Sequence, residues 1–96
     1  MSYRKYTVDY TNNFKKGYKK IKKQGKNVNK LLDVVDKLAN DEELEIKYKD
    51  HQLTDSKKYI NCRECHIEPD WLLVYRKNED RLMLLLVETG SHSELF

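Results

Sequence analysis

The sequence predicts an α+β domain: one strand, two helices, then three or four strands, folded as a twisted, mainly antiparallel sheet with both helices packed on one face. Three observations predict it. Apolar residues recur at helical spacing through residues 14–39, strand-like apolar runs follow after residue 59, and turn residues separate those runs. A chain of 96 residues holds one core of two layers, so residues 1–96 form a single domain. With 39% apolar and 36% charged residues, that core is thin and comes from a few concentrated segments.

Tyr3 to Tyr10 combines β-favouring Tyr, Thr and Val with rough alternation and reads as the first strand. Thr11, Asn12 and Asn13 offer N-cap oxygens ahead of Phe14, Tyr18 and Ile21, which share a helical face, and Gly25 supplies a stop. The second helix rests on Val28, Leu31, Leu32, Val35, Leu38 and Ala39, one apolar stripe ending near Asn40. Asp41 to Lys58 is polar and irregular, with a short strand expected at Ile46 to Tyr48 and His51 placed in a long loop. Strands are expected at Tyr59 to Ile67, Trp71 to Arg76 and Leu82 to Glu88, joined by tight turns at Glu68-Pro69-Asp70 and Lys77 to Asp80. The last two are almost wholly apolar, as strands in the middle of a sheet are. Gly90 to Phe96 is a short tail.

Charge is divided along the chain. Residues 1–30 carry a balance of +9 and residues 31–96 a balance of −6. The positive part lies on the first helix, at Lys15, Lys16, Lys19, Lys20, Lys22 and Lys23. Such a patch attracts a polyanion, nucleic acid or an acidic protein, or else is a solvated face. No apolar run is long enough to span a bilayer and no export segment opens the chain, so the expected location is the cytoplasm with no membrane partner.

Within NCRECHIEPDW lies CRECH, which matches the haem-attachment pattern and half of a zinc site. Its context opposes both. A strand sends alternate side chains to opposite faces, so Cys62 and Cys65 cannot chelate one ion together, nor form a dithiol of the helix-terminus kind. They read as buried thiols. By the same alternation Cys62, Glu64, His66 and Glu68 share one face, while Arg63, Cys65 and Ile67 share the other. With Cys65 and Ile67 facing the helices, His66 points to the open side of the sheet. His51, His66 and His92 all lie in polar or turn settings, and with Asp70 they can meet at one rim of the sheet. Imidazoles beside a carboxylate suit proton transfer in phosphodiester cleavage; three unrelated surface histidines are the plain alternative.

HIEPDWLLVY, followed by ETGSHSELF and preceded by YKDHQL, resembles the YafQ branch of the RelE-type toxins of bacterial toxin–antitoxin pairs. The resemblance covers most of the chain in length, strand order and spacing, and its specific motifs lie in the C-terminal half. It implies a RelE-like fold and a ribosome-dependent endoribonuclease that cleaves translated mRNA with no metal or other cofactor. The RNA 2′-OH attacks the adjacent phosphate and expels the next 5′-oxygen. His51, His66, Asp70 and His92 match the family's catalytic set. His92 is then the general acid, His51 or His66 the base, and Asp70 an orienter or shared proton acceptor. Phe96 matches the terminal aromatic beside the site and Arg63 a basic position. Trp71 also matches, although a strand Trp reads more simply as core.

The lysines Lys15, Lys16, Lys19 and Lys20 would grip ribosomal RNA. A cognate acidic antitoxin would silence the toxin, and operator DNA would be bound only through that antitoxin. The chain departs from the pattern at Glu88, where Arg usually precedes Thr-Gly, and at Gln52, where Pro is common. It also lacks the usual Gly after Leu53 and has a longer loop from His51 to His66. An acid at 88 would repel RNA. It gives more weight than otherwise to the alternative, a catalytically weak or inactive nucleic-acid- or partner-binding module on the same scaffold.

Overall fold

The computed structural model describes residues 4–96. The elements are β1 (Thr7–Tyr10), α1 (Asn12–Lys23), α2 (Val28–Ala39), a 3-10 turn (Ile46–Tyr48), β2 (His51–Gln52), β3 (Arg63–Glu68), β4 (Trp71–Asn78), β5 (Met83–Gly90) and α3 (His92–Leu95). The five strands form one sheet in the order β1-β5-β4-β3-β2. Every pairing is antiparallel except β1 with β5: the α1–α2 hairpin carries the chain from β1 at one edge to β2 at the other, and the antiparallel run β2-β3-β4-β5 returns to lie beside β1. This is the α+β fold expected.

Both long helices begin where their caps place them. The Thr11 side chain accepts the Phe14 amide and the Asn27 side chain accepts the Asn29 amide, each satisfying a helix-end donor that has no carbonyl of its own. Gly25, at φ 77°, turns the chain between the helices in a conformation costly for any residue with a Cβ. The helices lie on one face, where Phe14, Ile21, Leu31, Val34, Val35 and Leu38 pack with Cys65, Ile67, Trp71, Leu73, Leu84 and Leu86. The expected α2 stripe shifts by one position. Leu32 is 47% exposed and Val34 is buried in its place.

Other expectations change in extent. The first strand begins at Thr7, and Tyr3 lies outside the described residues. Ile46–Tyr48 is a 3-10 turn, not a strand: Ile46 is fully in solvent, with no sheet face to bury it. Lys49 then takes φ 50° and turns the chain into β2, so His51 sits in a strand and not in a loop. Tyr59–Cys62 is not strand; Asn61, at φ 60°, breaks it, and β3 starts at Arg63. The second tight turn falls at Glu79–Leu82 and the tail closes as α3.

The face away from the helices is not open. Tyr59, Cys62, Leu72, Val74 and Leu95 form a second, smaller core there, with Leu53 and Val87 at its margin. Cys62 thus joins one core and Cys65 the other, as alternation requires, and both are buried free thiols. A register shift between His66 and Glu68 interrupts that alternation, and Glu68 reaches Lys30 of α2 instead of sharing the His66 face.

Helix α1 lies against β5 at Gly17. A Cβ at that position would fall well inside van der Waals contact with the Thr89 carbonyl oxygen, a backbone atom that cannot swing aside. Gly17→Ala therefore destabilises the domain by about 1–3 kcal/mol through overpacking, despite alanine's better helix propensity. Urea denaturation measures this; an unchanged or raised midpoint would show that α1 can lift without cost.

Candidate active site

The sheet face opposite the long helices carries the candidate residues in two rows. His51 on β2 faces Glu64 on β3, Glu64 faces Val74 on β4, and Val74 faces Glu88 on β5. One step along, His66 faces Leu72, and Leu72 faces Gly90, which leads directly into His92. Adjacent strands lie about 4.8 Å apart, so the backbone positions of His66 and Gly90 are separated by about 10 Å.

At the β2–β3 side, two imidazoles converge on one carboxylate. Nε2 of His51 is 3.7 Å and Nε2 of His66 is 3.5 Å from the same Oε1 of Glu64. The Glu64 side chain is 7% exposed. The other nitrogen of each ring meets a carbonyl: Nδ1 of His51 lies 2.7 Å from Lys49 O and Nδ1 of His66 lies 3.3 Å from Pro69 O. A carbonyl can only accept, so Nδ1–H donates in both, and Nε2 is the nitrogen that faces Glu64. Beside His66 opens a groove of about 530 Å³ lined by Lys30, Lys47, Tyr48, Lys49 and Pro69. Glu64 was placed on the His66 face by alternation, but nothing in its spacing marked it as part of a site.

At the β5 side, α3 presents His92. Asp70, from the turn before β4, accepts the His92 backbone amide at 3.1 Å and so fixes the start of the helix. The His92 ring packs on Phe96, centroids 5.2 Å apart, and Phe96 meets Tyr59 edge-on at 5.5 Å. The Tyr59 hydroxyl lies against the Glu88 carboxylate and 3.3 Å from the Leu95 carbonyl. Burial first, and the Glu88 carboxylate second, push the Tyr59 phenol well above its ordinary range, so it stays a donor. Sequence reading missed Tyr59, which looked like the start of a strand.

The remaining expected residues lie apart. Arg63 is on the helix-bearing face, its Nε 3.3 Å from both Asp50 Oδ1 and the Tyr75 hydroxyl, and it bonds to none of the three histidines. Trp71 is fully buried and donates to the Thr89 hydroxyl at 2.9 Å. Lys15, Lys16 and Lys19 are exposed on α1, whereas Lys20 is ion-paired with Glu94 of α3.

That ion pair belongs to the clamp on α3. Ser91 caps the helix by accepting the Glu94 amide, and Glu94 accepts the Ser91 amide in return, a capping box. Lys20, then these Ser91 hydrogen bonds, hold the Glu94 carboxyl down at about 2. Since the folded value lies below the ordinary 4.5, the clamp is complete above that pH and is lost as pH falls through about 2. NMR signals of Leu95 and Phe96 should therefore shift between those limits, and Glu94→Gln should remove that step. A step that persists in the variant would assign it to another group.

Residues 6–96 match the family model described as bacterial toxin of type II toxin-antitoxin system, YafQ. The chain is 37% identical to the mRNA interferase toxin YafQ of Escherichia coli (strain B / BL21-DE3) over 90 residues, covering 93% of this chain and 94% of that one. Its fold superposes on a metal-bound toxin from Helicobacter pylori with TM-score 0.88 at 42% identity, covering 95% and 99% of the two chains. It superposes on YafQ in the E. coli DinJ-YafQ toxin-antitoxin complex with TM-score 0.85 at 33% identity, covering 96% and 98%. Among the described residues of this chain, no three His, Cys, Asp or Glu side chains are grouped to hold a metal ion. By the span and identity of these matches, the chain belongs to the YafQ family of bacterial type II toxin-antitoxin toxins.

Proposed function

We propose that this toxin is an endoribonuclease, a ribosome-dependent mRNA interferase, restrained by a cognate antitoxin. The carrying observation is the pair of histidines converging on one buried glutamate while a third histidine stands across the same sheet face. The 37% identity to a protein named as an mRNA interferase toxin supports the same reading, and the DinJ-YafQ complex supports an antitoxin partner.

Cleavage by the RNA's own 2′-OH needs a base on the attacking side of phosphorus and an acid on the leaving side, because attack and departure are in line. Two proton-handling groups on opposite sides of a cleft meet that need; adjacent ones do not. His51 or His66 takes the 2′-OH proton on Nε2, and Glu64, which lies beside that same nitrogen, stabilises the imidazolium that forms. His92 protonates the departing 5′-oxygen. Asp70 is a positioning residue for His92, through the backbone amide it accepts. Phe96 holds the His92 ring by stacking and has 52% of its surface free to meet a base.

The exposed Lys15, Lys16 and Lys19 form a face that would bind ribosomal RNA through phosphate contacts, with Lys20 committed to Glu94. In the groove beside His66, Lys47 and Lys49 could meet the message, while Lys30 is paired with Glu68 and Asp33 adds an acid. No helix of the described residues is long and apolar enough to cross a membrane.

Induced expression followed by mapping of mRNA ends tests the reading. New ends inside translated codons are expected, lost by about a hundredfold or more in His92→Ala. Intact messages under the unaltered chain would make it a non-catalytic binding module. Within the enzyme, Glu64→Gln should slow cleavage by about tenfold or more. A rate equal to the parent's would remove Glu64 from the mechanism.

A further inference from the structure

We propose that Lys58, in the segment between β2 and β3, is a phosphate-binding residue of the His92 half of the site, held there by Glu88 and Tyr59. The assignment rests on the endoribonuclease reading above and adds a residue to it.

Glu88 does not face the solvent as a bare acid. Its side chain is 17% exposed, and its Oε2 receives the Tyr59 hydroxyl and lies 3.8 Å from the Lys58 ammonium. The same ammonium lies 5.2 Å from the centre of the Tyr59 ring. Two attachments therefore bring one cation to the aromatic stack of Tyr59, Phe96 and His92, while the Lys58 side chain keeps 59% of its surface in solvent. An ammonium has three donors, and a carboxylate at 3.8 Å leaves them available. A group that is both tethered and open can donate to a phosphate without first losing much side-chain freedom.

The chemistry requires a cation at this point. Attack by the 2′-OH builds negative charge on the non-bridging oxygens and on the departing 5′-oxygen, and a fixed donor aimed at that charge lowers the barrier. Two other cations on this side are committed, Lys20 to Glu94 and Arg76 to the Ile60 carbonyl. Arg63 lies on the opposite face of the sheet. Glu88 thus serves RNA indirectly: its charge is covered from one side by Tyr59 and from the other by Lys58, and the repulsion expected of an acid at this position is replaced by an anchored cation.

Three variants test the assignment. Lys58→Ala should lower the cleavage rate on saturating programmed ribosomes by about tenfold to a hundredfold, with an unchanged Tm, because the side chain is exposed and carries no core packing. Lys58→Arg should recover most of that rate and Lys58→Gln should not, which separates charge from bulk. A Lys58→Ala enzyme that cleaves like the parent overturns the proposal. A second measurement is independent of cleavage: titration of labelled protein with an uncleavable 2′-O-methyl RNA trinucleotide. Shifts at the Lys58, Tyr59 and Phe96 amides that weaken in Lys58→Ala support it even if the parent never cuts message, in which case the nuclease reading alone falls. Binding that leaves those amides unmoved overturns it while the nuclease reading stands.

Discussion

One buried hydroxyl organises this domain. The Trp71 indole N–H donates to Thr89 Oγ1 at 2.9 Å, and that hydroxyl donates to the Leu72 carbonyl at 2.7 Å, so a single side chain ties two neighbouring residues of β4 to the end of β5. Both Trp71 and Thr89 are out of solvent, where a polar group left unmatched costs about 1–3 kcal/mol. On the other side, the Thr89 carbonyl is what Gly17 of α1 approaches so closely. The sheet, the basic helix and the strand that delivers His92 are thus fixed at one residue, and the chain leaves that residue through Gly90 and Ser91 straight into α3.

From this anchor the two halves of the site differ in how they are held. The His51–Glu64–His66 half is built on strands, its spacing set by the β2–β3–β4 ladder and its ring nitrogens by two backbone carbonyls. The His92 half rests on a four-residue helix, too short to be stable alone. It is kept in place from outside, by Asp70 at its first residue, Ser91 and Glu94 at its cap, Lys20 from α1, and Tyr59 at Leu95 and Phe96. An element held by its own cap and by attachments to three separate segments depends on contacts distant in sequence, whereas the strand half fails only with the sheet.

Much of this was legible in the chain. Caps and apolar spacing gave α1 and α2, because those signals are local and strong, and alternation along RECHI separated Cys62 from Cys65 and so dismissed CRECH as a metal or haem motif. What escaped has physical causes. A strand of two residues, His51–Gln52, has no periodicity to read, so its pairing with Glu64 and Arg63 was invisible. Tyr59 is buried by folding onto the sheet and α3, not by strand pairing, and burial of that kind leaves no pattern in neighbouring residues. Leu32 matched the apolar stripe but points outward, because the helix needs the narrower arc of Leu31, Val34, Val35 and Leu38. The bulge after His66 took Glu68 to the helix side, where it meets Lys30.

Glu88 shows how a residue's sign can mislead when its partners are far off in sequence. Read alone, an acid near a phosphate-cleaving site opposes its substrate. Its partners, Lys58 and Tyr59, lie about thirty residues earlier in a segment without regular structure, and they change what the acid does. A carboxylate that receives a phenol O–H and faces an ammonium is an attachment point more than a source of repulsion, and what it attaches is the segment that covers the second core and buttresses Phe96. The length of the loop from His51 to His66 then has a structural reason: the chain must leave β2, cross over Leu72 and Val74 to reach Glu88, and return to β3. A shorter connection could pair the strands but could not place Tyr59 under α3, and the His92 half would lose its support from that side.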